Sequence, residues 1–229
     1  MNLLAFDTST EVFSVAIQRG HELLEQAGAG GAQASATLIP TIQGLLARAG
    51  LALSDLDAIV IGRGPGSFTG LRAACSVAQG LAFGAGLPVL AVATLLAVAE
   101  DAHWRAGVTQ VVAVLDARMD EVYWTHYERD GGRWRRQGGF ALGRVESVVI
   151  PPLWALAGNA FSAHGGRWRD AVRIEALPTA AALLRLAPAL LADGHGGPAG
   201  AALPLYIRDK VAQTTEERAA LRRGAAART

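Results

Sequence analysis

The chain has 229 residues, 51% of them apolar and 18% charged, with a mean hydropathy of +0.26 and a formal net charge of +1. That balance excludes intrinsic disorder over most of the length, and no global field draws nucleic acid or a membrane surface. No stretch offers the ~20 unbroken apolar residues of a membrane span: residues 73–99 hold Gln79 and are cut by Pro88, and Met1-Asn2-Leu3 lacks the positive n-region of a secretory leader.

In chain order, Asn2-Leu3-Leu4-Ala5-Phe6-Asp7 reads as a buried strand ending in an acid. Residues 12–18 alternate as a second strand, and Gly20 turns the chain into a third, residues 22–26. Residues 28–34 are expected to be a flexible connection. Leu38, Ile42, Leu45 and Leu46 predict a helix over residues 37–49, closed by Gly50. A short strand at 58–61 leads to a Gly-rich turn, and Ser67 is placed to cap the helix that follows, through about Phe83. Residues 88–92 read as a strand and 94–105 as a helix. Strands alternating with helices predict an α/β fold with a mostly parallel sheet covered on its faces.

A second series starts at Val111-Val112-Ala113-Val114-Leu115-Asp116 and follows the first: strand, terminal Asp, short turn, then Glu-Val-aromatic. Asp7, Glu11-Val12-Phe13 correspond to Asp116, Glu121-Val122-Tyr123, which suggests duplication and two lobes. The expected division is residues 1–106, residues 107–212 and a polar tail, 213–229. Charge follows it: residues 1–100 hold four arginines against seven acids, and residues 101–229 hold seventeen basic against thirteen acidic residues. Gly131-Gly132 reads as a hairpin tip, and residues 177–192 as a helix interrupted at Pro188.

Two segments stand out chemically. Asp7-Thr8-Ser9-Thr10 leaves a buried strand into a hydroxyl-rich turn that could meet a phosphate, with the acid on a metal or its water; an ordinary hairpin turn is the competing reading. Gly62-Arg63-Gly64-Pro65-Gly66-Ser67-Phe68-Thr69-Gly70 opens a helix, where backbone N–H groups face anions. It is neither a Walker A loop nor a dinucleotide fingerprint, since no Lys follows and Thr69 stands at the third Gly. Its alternating glycines imply close approach to a ligand or to neighbouring chain. Among His21, His103, His126, His164 and His195 no two are spaced as a helical ligand pair, and the lone Cys75 makes neither a disulfide nor a Cys-rich metal site. Arg133, Arg135, Arg136 and Arg144, with Trp134 among them, form a basic and aromatic strip of the kind that holds nucleic-acid backbone, or else a solvated hairpin; Arg218, Arg222 and Arg223 repeat the theme in the tail.

The two helices at 37–49 and after Gly66 are apolar on more than one face. Leu38, Ile42 and Leu45 form one stripe, Ile39 and Leu46 widen it, and Ala74, Val77, Ala78 and Leu81 lie on adjacent faces of the next helix. A helix covering one sheet needs one stripe. The surplus predicts a four-helix contact with a second chain.

The opening Leu4-Ala5-Phe6-Asp7-Thr8-Ser9-Thr10-Glu11 resembles the start of the TsaB family, also called YeaZ. So, with high specificity, does Gly62 through Arg72, and Ala78-Gln79-Gly80-Leu81-Ala82, Asp116-Ala117-Arg118-Met119, Glu121-Val122-Tyr123-Trp124 and Pro204-Leu205-Tyr206-Ile207-Arg208 match as well. The resemblance runs from residue 1 to about 212. It implies a two-lobed actin-like (ASKHA, RNase H-like) fold with mixed sheets flanked by helices. It also implies a cytoplasmic role in forming N6-threonylcarbamoyladenosine at position 37 of tRNAs reading codons that begin with A. The family is regarded as the non-catalytic partner of TsaD; it forms a heterodimer with TsaD, is joined by TsaE, meets tRNA through the complex, and forms homodimers when alone. No catalytic residue, metal or required cofactor is expected, with room for weak ATP or ADP binding at Asp7 to Thr10. Many members carry a His near the start of the first helix, where this chain has Ala34 and Ser35. The second-lobe turn Ala117-Arg118-Met119-Asp120 has no glycine for close approach to phosphate. The alternative from another class is an independent ATPase or small-molecule kinase of the same fold.

Overall fold

The structure, a computed structural model, describes residues 1–164 and 166–207. The tail arginines at 218, 222 and 223, and Arg208 of the last matching motif, lie outside the described residues.

The first sheet is built from β1 (Asn2–Asp7), β2 (Val12–Arg19), β3 (Glu22–Ala29), β4 (Ala58–Gly62) and β5 (Val89–Val92), in the order β3-β2-β1-β4-β5. β1, β2 and β3 form an antiparallel meander, while β4 and β5 run parallel to β1. Half the pairings are therefore antiparallel, which corrects the mostly parallel expectation: strands joined by turns as tight as Gly20-His21 can only run antiparallel. The second sheet, β6 (Gln110–Asp116), β7 (Glu121–Asp130), β8 (Arg133–Arg144), β9 (Ala155–Gly158) and β10 (Arg173–Glu175), has the order β10-β9-β6-β7-β8. With β6 matched to β1, order and strand directions repeat the first sheet pair by pair. Two mixed five-stranded sheets flanked by helices result, and Asp7 and Asp116 end equivalent central strands.

α1 (Ala32–Ala49) and α2 (Phe68–Ala85) cover one face of the first sheet, with Leu38, Ile42 and Leu45 against Phe6, Val15, Ile17 and Ile59. α3 (Thr94–Ala106) packs on both sheets: Ala97 meets the first, and Leu95, Val98 and Ala102 meet Val111 and Ala113 of the second. α5 (Ala180–Ala192), although it follows the second sheet in sequence, lies on the first through Leu183 and Leu186. The short α4 (Phe161–His164) packs Phe161 with Trp168 on the outer face of the second sheet.

Two boundaries differ from the sequence expectation. β3 runs on to Ala29 and α1 begins at Ala32, so the expected flexible connection at 28–34 is almost entirely regular structure. The Gly30 amide donates to Glu11 O at 2.7 Å, which pins the crossover, and Ala34 is buried, which fixes the first turn of α1. α1 stops where expected, at Gly50 in the left-handed conformation.

Candidate functional site

A cleft of about 560 Å³ lies between the ends of β1 and β6. Ser9, Thr10, Gly66 and Phe68 line one side, and Asp116, Arg118, Tyr123 and Asn159 the other.

On the first side, the turn after β1 folds upon itself. Asp7 is fully buried, and its Oδ1 accepts from the Ser9 amide at 2.8 Å and from Ser9 Oγ at 2.6 Å. Thr8 Oγ1 donates to Gly70 O at 2.7 Å, and Thr10 Oγ1 to Val12 O at 2.9 Å. Each of the three hydroxyls is thus bonded inside the protein. Only Ser9 and Thr10 of the four predicted residues line the cleft. Burial pushes the Asp7 carboxyl up to about 6, against the opposing effect of the two Ser9 bonds and a smaller one from the Thr94 side chain. Thr94 makes no hydrogen bond to Oδ2, which has no partner among the described residues.

The Gly-rich motif explains itself against this turn. A Cβ on Gly62 would collide with Asp7 Oδ2, one on Gly70 with Thr8 O, and one on Gly66 would stand 2.6 Å from Ser9 O. Its glycines thus answer to the turn after β1 within this same chain: the Asp7 side chain and the Ser9 and Thr8 carbonyls. Around them the motif ties the fold together. The Ser67 amide donates to Ser9 O at 2.7 Å, the Gly64 amide to Thr94 Oγ1 at 2.9 Å, and the Arg63 amide to Val92 O at 2.8 Å. The Leu205 amide closes on Arg63 O at 2.7 Å, so the Pro204-Leu205-Tyr206 segment straps the loop. Ser67 caps α2 as expected, accepting from the Gly70 amide. Phe68 is exposed at the cleft mouth, under the Arg72 guanidinium at 3.8 Å from the ring centroid, and Arg72 Nε donates to Tyr206 Oη at 3.0 Å.

On the second side, Asp116 Oδ1 accepts from the Arg118 amide at 3.1 Å, the same bond across two residues that Asp7 makes with Ser9. Arg118, Met119 and Asp120 then all have positive φ, at 63°, 57° and 61°. Three bulky residues in this region store backbone strain. Asn159 joins the two sides: its Oδ1 accepts from the Asp116 amide at 3.0 Å and its Nδ2 donates to Glu11 Oε1 and Oε2 at 3.1 and 3.0 Å. Sequence reasoning assigned Asn159 nothing, and no local pattern marks it. His164 is buried behind this side, 3.5 Å from Asp116 Oδ1 and 3.6 Å from Asp120 Oδ1. Among the described residues no group of three or more His, Cys, Asp and Glu is arranged to hold a metal ion.

The predicted interface needs correction. Leu38, Ile42, Leu45, Ala74 and Ala78 lie in the chain's own core, because the sheet below α1 and α2 is wide enough to take the full stripe of both helices. Leu46, Val77 and Leu81 are half-buried at its margin, and Ile39 alone of the nine is exposed. The large apolar side chains that the two helices do expose are Ile39 (44%), Phe83 (86%) and, at the cleft mouth, Phe68 (40%); Gly44, Gly80 and Gly84 are exposed as well. Among the described residues, nothing outside the adjoining turns of the same helix lies within 4 Å of a Cβ built on any of those three glycines.

In the basic strip Arg133, Arg135, Arg136 and Arg144 are all exposed, as the solvated-hairpin reading has it, and the aromatic member is the one that turns inward. Trp134 packs into the core and donates its Nε1 to Glu100 Oε2 at 2.8 Å, so it is no platform for a base. Arg133 pairs with Asp193, Arg144 with Asp120 at 2.9 Å, and Arg136 stacks on Phe140. Trp134, opposite Arg129 of β7, falls on the face of the sheet that carries the buried Tyr127.

Comparison with known proteins adds to this geometry. The TsaD family model, described as tRNA N6-adenosine threonylcarbamoyltransferase, matches residues 31–163. The chain is 35% identical over 223 residues to the tRNA threonylcarbamoyladenosine biosynthesis protein TsaB of Escherichia coli (strain K12), covering 93% of this chain and 96% of that protein. It is 37% identical to the protein of the same name from Haemophilus influenzae, over 92% of this chain and 95% of that one. The solved structure of YeaZ from Pseudomonas aeruginosa superposes with a TM-score of 0.83 at 42% identity, covering 90% of this chain and 99% of that one.

Proposed function

The chain belongs to the TsaB (YeaZ) family of tRNA threonylcarbamoyladenosine biosynthesis proteins, and from that premise we propose that it is a non-catalytic, cytoplasmic subunit that docks on TsaD and supports recruitment of TsaE. A role in this tRNA modification follows from the family. The observation that carries the finer reading is the outer face of α1 and α2. Phe83 and Ile39 are exposed there, and so are Gly44, Gly80 and Gly84. A glycine inside a helix costs about 1 kcal/mol relative to alanine. Three of them without an internal packing reason fit a surface onto which other helices close tightly. That surface is assigned to TsaD in the complex and to a second copy when the chain is alone, with tRNA bound through the assembly.

The cleft does not fit a working nucleotide site. The hydroxyls of Thr8, Ser9 and Thr10 are bonded internally, and the turn after Asp116 offers three side chains where a phosphate needs bare backbone. Its size and the polar groups of Ser9 and Asn159 favour the second reading only as weak ATP or ADP binding without turnover. No nucleotide is required for the subunit's role.

The test is reconstitution. Threonylcarbamoyladenosine formation by TsaD, TsaE and the remaining pathway components should depend on this chain, while the chain alone turns over no ATP. Steady ATP hydrolysis by the chain alone, lost in Asp7→Ala, would overturn the proposal in favour of the kinase-like reading.

A further inference from the structure

A second pocket, of about 240 Å³, lies away from the interlobe cleft and shares no lining residue with it. It is bounded by the β7–β8 hairpin tip, α3 and α5. Leu96, Leu186 and Leu190 form an apolar wall, and Arg129, Arg185 and Trp134 are among the polar and aromatic residues that line the rest.

The charges around it do not cancel. Glu100 accepts from Trp134 Nε1 at 2.8 Å and from Arg185 Nε at 3.0 Å, so both its oxygens are engaged. Asp193, at the rim, is paired with Arg133. Arg129 has no acidic partner among the described residues, and its Nε is buried without a hydrogen bond. Arg185 Nη2 is also buried without one and stands 3.9 Å from Asp101 Oδ1. Trp134 is held in place by edge contacts with His103 and Tyr127, so the wall is preorganised. Buried N–H donors are rarely left unpaired, and a guanidinium edge matches an oxyanion in shape and charge.

We propose that this pocket binds a small oxyanion, a carboxylate or phosphate on a short apolar body, through Arg129 and Arg185. The apolar wall takes the body and the two guanidinium edges take the charge. The hairpin, whose arginines read from sequence as a strip for nucleic-acid backbone or else as a solvated hairpin, thus supports a small-molecule site on its inner side.

The experiment follows the side-chain N–H signals of arginine and the Trp134 indole by NMR on the full chain, titrated with inorganic phosphate, with butyrate, or with chloride at matched ionic strength. A saturable shift at millimolar concentration is expected with phosphate or butyrate and not with chloride, and the tighter of the two identifies the ligand class. Arg129→Gln should weaken that binding at least tenfold, and Arg136→Gln, which does not line the pocket, should leave it unchanged. Ala189→Glu, on an exposed position of α5 at the pocket, keeps the core intact and should abolish binding. Shifts that merely follow ionic strength, or saturable binding indifferent to Arg129→Gln and Ala189→Glu, would overturn the proposal.

Discussion

Asn159 Nδ2 donates to both carboxylate oxygens of Glu11, at 3.1 and 3.0 Å, and so bridges the two sides of the interlobe cleft. The same side chain accepts from the Asp116 amide, which couples the bridge to the end of β6. Asn159→Ala removes three bonds at a part-exposed site and should lower stability by about 1–2 kcal/mol. Glu11→Gln keeps an acceptor and should cost less. Urea midpoints measure both; equal effects would mean that the Glu11 charge, rather than the Asn159 geometry, holds the cleft.

Asp7 gives a signed pH dependence. Its carboxyl is raised from 3.8 to about 6 in the folded protein, so the folded state holds a proton that the unfolded chain has released. The stability it contributes is full below about pH 4 and is lost as pH rises through 6, by about 3 kcal/mol in all. Asp7→Asn keeps the acceptor for Ser9 and should flatten this slope, gaining on the native protein at pH 8 relative to pH 4. Denaturant unfolding at the two pH values checks it, and an unchanged slope would show that Asp7 stays ionised throughout.

Glycines of the two kinds should respond oppositely to alanine. Gly70→Ala drives a methyl into Thr8 O and should destabilise by about 3 kcal/mol. Gly80→Ala meets nothing within 4 Å and should stabilise the free chain by up to about 1 kcal/mol while weakening association with TsaD. Thermal unfolding of each variant alone, followed by binding, separates the effects.

Trp134→Ala should cost about 3 kcal/mol of stability through lost core packing. If instead the fold tolerates it and tRNA affinity of the assembled complex falls, the strip works as a nucleic-acid platform after all.

Much of the fold was legible because the continuous apolar runs at β1, β4 and β6 and the start, stop and turn signals Ser67, Gly50 and Gly131-Gly132 are local. The repeated Asp-turn-Glu pattern announced the duplicated sheet, and the resemblance to a family supplied its shape. The site was less legible because its decisive relations are long-range. Nothing near Gly62 says that it faces Asp7 rather than a ligand, and nothing near Asn159 says that it reaches Glu11. The helix faces misled for a related reason: Leu38 and Ile42 look surplus until the width of the sheet beneath them is known.

The central claim is that TsaD closes on the outer face of α1 and α2. Sedimentation velocity of the Ile39→Glu, Phe83→Glu double variant with TsaD tests it most directly. Both positions are exposed, so the chain should stay folded, unlike with a charge at the buried Ile42. The account predicts that the native chain both self-associates and binds TsaD and that the variant does neither. A folded double variant that still forms the TsaD complex at native affinity would contradict it.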